Sequence, residues 1–121
     1  MKTDNAVVEK SKAFAIRGVK LYQYLNDEKH EFVLSKQLLR SSTSVGANCR
    51  EASRTQSTAD FIAKLNIALK ESDETAYWLE LLEETDYIDE VQFQSIYADA
   101  NELIKILVSI IKTTKSKILN S

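Results

Sequence analysis

The chain has 121 residues, 44% of them apolar, with one Cys, two Gly, no Pro and a formal net charge of −2. That length points to a single domain, residues 1–121, large enough for its own core, and the shortage of Gly and Pro excludes turn-rich sandwiches and barrels in favour of a few long helices. One Cys rules out an intramolecular disulfide framework and no apolar run approaches the roughly 20 residues of a membrane span, so a cytoplasmic protein with no membrane partner is expected.

The first predicted helix runs from about Asp4 to Leu25. Val7, Ser11, Phe14, Gly18, Leu21 and Leu25 recur at steps of four and three, which lines them along one face. The polar stretch Asn26-Asp27-Glu28-Lys29 then makes a short connection.

The second helix is predicted over 31–54, with Leu34, Leu38, Ser41, Val45, Asn48 and Ala52 as its seam. Ser42, Gly46, Cys49 and Ser53 form a row of small residues beside it, where a neighbouring backbone can approach closely. The third helix is predicted over 58–85. Ser57 or Thr58 caps it, Asp60 sits in the first turn, and Phe61, Leu65, Ala68, Ser72, Thr75, Leu79 and Leu82 form the seam.

Tyr87-Ile88-Asp89 marks the next turn, and the fourth helix is predicted over 90–115 with Asp89 as a candidate cap. One seam is Phe93, Ile96, Ala100, Leu103, Leu107 and Ile110; a second row is Ile104, Val108 and Ile111. The basic, polar tail of residues 112–121 is expected to fray. Four rods with short connections predict an all-α fold, an antiparallel up-down-up-down four-helix bundle.

The fourth helix carries an apolar surplus. From Leu103 to Ile111 only Lys105 and Ser109 are polar, and they are i,i+4 neighbours on one side. A bundle helix hides one stripe, so the surplus predicts a homo-oligomer, with a separate partner protein as the alternative cover. Ile104, Val108 and Ile111 are placed in its interface, with Trp78 as an aromatic anchor.

Charge is divided along the chain. Residues 1–70 carry 12 bases against 7 acids, residues 71–121 carry 4 against 11, and nine acids fall between Glu71 and Glu90 with no base. Such halves attract each other within a subunit or between subunits. Lys36, Arg40, Arg50 and Arg54 share one stripe of the second helix. They are candidate phosphate contacts for a nucleic acid, or a solvated face, or salt-bridge partners of the third-helix acids.

Ser44, Asn48 and Glu51 form a polar row at i, i+4 and i+7. With Asn66 or Glu74 they would make a ligand pocket, or a hydrogen-bonded layer that fixes helix register. His30 stands alone, no Glu-x-x-His pair exists, and there is no Gly-rich phosphate loop or nucleophile elbow. No metal, cofactor or catalytic residue is therefore expected, and Cys49 reads as core filler.

The stretch from Arg40 to Ala52 contains Ser44, Ala47, Asn48 and Glu51 in the order Ser-x-x-Ala-Asn-x-x-Glu. It resembles the signature of the four-helix bundle family found in intervening sequences of bacterial 23S rRNA genes. Phe61, Leu65, Ile67, Ala68 and Glu74, then Tyr77 to Leu82, continue the likeness, which covers residues 8–115. The resemblance implies a small helical protein forming ring-shaped homopentamers, related to accessory proteins of diversity-generating retroelements that bind nucleic acid and a reverse transcriptase through a basic surface. Ala52 stands where many relatives have Gly, and the acidic balance departs from the nucleic-acid-binding relatives. The expected function is a non-catalytic homo-oligomeric scaffold, with a nucleic-acid-binding accessory protein as the alternative.

Overall fold

The computed structural model of the protein describes residues 5–120. Asp4, where the sequence places the start of the first helix, and Ser121, at the end of the tail, lie outside the described residues. Four helices follow one another: α1 (Asn5–Asp27), α2 (Leu34–Ala52), α3 (Thr58–Glu84) and α4 (Glu90–Leu119). Consecutive helices pack closely, the backbones of α1 and α4 approach only thinly, and the backbones of the diagonal pairs stay apart. This is an up-down-up-down bundle with its thinnest seam between the first and last rods.

The helix ends follow local chemistry. Ser57 accepts from the Asp60 N–H at 3.1 Å and caps α3. Asp89 caps α4 through the Gln92 N–H at 2.7 Å, and the Gln92 side chain accepts the Asp89 N–H at 2.9 Å, a reciprocal capping box. The start of α2 differs from the sequence expectation. Glu31 lies outside the helix as a nearly buried cap, its carboxylate accepting the N–H groups of Val33, Leu34 and Ser35 at 3.2, 3.0 and 2.7 Å. His30, at φ 53°, turns the chain so that this carboxylate points back at the helix end.

At the other end, α4 does not fray at Lys112 but continues to Leu119. Lys112, Lys115 and Lys117 place positive charge where the helix dipole favours it, and Thr114 donates its hydroxyl to the Ile110 carbonyl at 2.7 Å.

The seams meet in one core. Val7, Phe14 and Leu25 of α1, Leu38 and Val45 of α2, Leu65, Leu79 and Leu82 of α3, and Leu103 and Leu107 of α4 are essentially inaccessible. Burying each such side chain contributes about 1.5–3 kcal/mol relative to leaving it exposed. The small row of α2 lets α1 approach closely: a Cβ added at Gly18 would lie 2.6 Å from the Ser42 Cβ. At Gly46 it would lie 3.2 Å from the Ser11 carbonyl oxygen.

Candidate functional site

Lys36, Arg40 and Arg50 lie exposed on the outer face of α2, but the helix ends at Ala52 rather than at the expected residue 54, so Arg54 is exposed in the turn that follows it. Arg40 turns toward α3, donating to Glu71 at 3.0 Å and to Glu74. The hydrogen bond to Glu74 is the main reason its guanidinium is held above its ordinary range. Part of the attraction between the basic and acidic halves is thus satisfied inside one subunit. Among the described residues Lys36, Arg50 and Arg54 have no ion-pair partner.

The polar row does not gather into a pocket. Asn48 is 9% exposed and donates Nδ2 to the Ser44 carbonyl at 2.9 Å and to the Ser44 hydroxyl at 3.1 Å, within its own helix. Glu51 pairs outward with Lys64 at 3.5 Å, Glu74 is taken by Arg40, and Asn66 is exposed. Ser41 and Thr75 form the buried polar link between α2 and α3 instead, at 2.8 Å. Both were legible as seam positions, but small hydroxyls in a seam do not announce that they face each other.

The expected interface residues separate. Ile111 is only 6% exposed and belongs to the chain's own core, so it offers little surface to a neighbour. The physical reason is helical drift: a step of four from Leu107 carries the seam to Ile111 rather than Ile110, which is left partly buried. Ile104 is also partly buried, and only Val108, 46% exposed, faces out. Most of the apolar surplus of α4 is therefore covered by its own neighbours.

Trp78 packs partly buried against the core, its indole N–H sealed in without an acceptor among the described residues. The neighbouring Tyr77, edge-on to it at 5.2 Å between ring centroids, is the exposed aromatic, at 53%. The pattern of α3 carried that distinction: Tyr77 lies on the far side of the helix from Leu79 and Leu82.

Several grooves run along the surface of the described residues. A groove of about 490 Å³ follows the thin α1–α4 seam, and the Arg17 on its rim is engaged by Asp99 at 2.7 Å and Ser95 Oγ at 2.8 Å. A groove of about 360 Å³ between α3 and α4 is lined by Leu69, Val108, Ile111 and Leu119 with Lys112 and Lys115. A third, of about 190 Å³, lies between α1 and α2, with Val8, Ala15, Gly46 and Ala47 below Lys12 and Arg50.

Among the described residues no group of three or more His, Cys, Asp or Glu is placed to hold a metal ion, and no helix is long and apolar enough to cross a membrane. Cys49 is buried, and burial pushes its thiol up, only partly offset by Ser11. A thiol held protonated in this way is a poor nucleophile at neutral pH.

Residues 3–109 match the model of a family described as 23S rRNA-intervening sequence protein. Among solved structures the chain is similar to that of a protein of unknown function from the S23 ribosomal protein family of Bacteroides thetaiotaomicron. The two are 60% identical with a TM-score of 0.86, over 88% of this chain and 98% of the other. No curated protein matches the chain.

Proposed function

The chain belongs to the 23S rRNA-intervening sequence protein family, and from that premise we propose that it is a non-catalytic, homo-oligomeric helical scaffold. The observation that carries this reading is the apolar α3–α4 groove, where Val108, 46% exposed, and Leu119, 85% exposed, lie beside Leu69 with nothing among the described residues covering them. Copies of the chain cover such surface for one another, and each copy adds another charged outer face for a partner to meet. A ring of five is the size the family resemblance implies. A cytoplasmic setting goes with this reading. The mass of the full chain in solution tests it.

A second reading, nucleic-acid binding, is favoured by one observation: Lys36 and Arg50 on α2 and Arg54 in the turn after it are exposed without ion-pair partners among the described residues. Three phosphate contacts would give a slope of about −2 to −3 for log K against log salt. Mobility shifts with single-stranded RNA at low salt, lost in Lys36→Glu/Arg54→Glu, would support it. No shift at low salt removes it.

A further inference from the structure

We propose that the subunits of this scaffold join through two unlike surfaces: Tyr77, on the outer face of α3, seats in the α1–α2 groove of a second copy. This rests on the homo-oligomeric reading above and names its interface.

Tyr77 is 53% exposed on a helix whose other aromatics, Phe61 and Trp78, pack inward. Its neighbours along the outer face are acidic. Glu74 is taken by Arg40 and Glu80 accepts the Tyr97 hydroxyl, which leaves Asp73 and Glu84 exposed and without a base among the described residues. Lys70 bounds this patch on its N-terminal side. The result is an aromatic knob with a carboxylate one turn before it and another two turns after it.

The α1–α2 groove is the counterpart. Its volume of about 190 Å³ exceeds the roughly 150 Å³ in which a cavity holds a benzene ring. Ala15 and Ala47 keep its floor shallow and apolar, and Lys12 and Arg50 stand on its rim, both exposed and without an ion-pair partner among the described residues. A negative knob and a positive socket are complementary in shape and in charge.

The two surfaces cannot satisfy each other within one chain. α3 packs beside α2 and α4 and lies diagonally across the bundle from α1, so its outer face and the α1–α2 groove look away from each other. Nor does either surface suit a like-to-like contact, since the acidic face repels its own copy. The contact is therefore head-to-tail, the type that closes into rings or runs into filaments.

Charge reversal on the full chain tests this by light scattering and native mass spectrometry. Lys12→Glu/Arg50→Glu and Asp73→Lys/Glu84→Lys are each expected to weaken association at least tenfold, while combining all four substitutions in one chain restores it. None of the four side chains has an ion pair within the described subunit, so helicity and melting should hold. Ala47→Trp, at an exposed position, fills the groove and is expected to prevent assembly without touching a charge. Wild-type assembly that survives both reversals and Ala47→Trp unchanged leaves these faces to another protein and overturns the proposal while the scaffold stands. A monomeric wild type instead removes the scaffold reading itself, and this interface with it.

Discussion

Ser41 and Thr75 meet hydroxyl to hydroxyl at 2.8 Å across the α2–α3 seam, and both side chains are inaccessible to solvent. Each hydroxyl also reaches a carbonyl of its own helix, Leu38 at 3.3 Å and Glu71 at 2.8 Å. The pair holds two rods in one register, because a one-turn slip would leave both hydroxyls buried without their cross-helix partner. Thr75→Val keeps the side-chain shape and leaves Ser41 with its long carbonyl contact alone, and should cost about 1–3 kcal/mol in denaturant unfolding. Adding Ser41→Ala should recover part of that loss. A Thr75→Val chain as stable as wild type would contradict the register role.

The approach of α1 to α2 at Gly18 sets a steric limit. Gly18→Ala would place a methyl 2.6 Å from the Ser42 Cβ, so the rods must separate, at a cost of about 1–3 kcal/mol. Ser42→Gly in the same chain should restore much of the thermal stability. Unchanged melting of Gly18→Ala alone would show that the seam is looser than described.

Glu31 caps α2 from outside the helix. Glu31→Ala removes the acceptor of three backbone N–H groups and should cost about 1–2 kcal/mol, at the upper part of the range for lost caps. Amide exchange should quicken at Val33, Leu34 and Ser35 before it does in the middle of α2. Equal protection in the variant would mean that the carboxylate is dispensable.

Tyr97 donates its phenol to Glu80 at 3.0 Å. That hydrogen bond, then burial and the charges of Glu80 and Asp73, hold the phenol above its ordinary value of 10.0. A group whose pKa is raised by folding stabilises the fold below its unfolded value, and that contribution is lost as pH rises through the folded one. Wild type should therefore lose stability above pH 10.0, and Tyr97→Phe should lose less over the same range. Parallel alkaline profiles for the two chains would remove this contribution.

Much of the fold was legible because a bundle writes its core into spacing. Steps of three and four picked out Phe61, Leu65, Ala68, Ser72, Thr75, Leu79 and Leu82, and every one is buried. Spacing says less about a helix that drifts, which is why Ile110 and Ile111 exchange roles near the end of α4. It says nothing of an acid such as Glu31, which resembles a first-turn residue and acts as a cap. The candidate surfaces were less legible. Arg40 and Glu71 lie 31 residues apart and meet only because α2 folds back on α3. The α1–α2 groove is made by small residues whose importance is the space they leave.

Light scattering on the full chain at micromolar concentration tests most directly whether this protein is a scaffold of repeated copies. A mass that is a whole multiple of the single chain, unchanged on modest dilution, is the predicted result, with five copies the proposed multiple. A mass of one chain across that range would contradict the account.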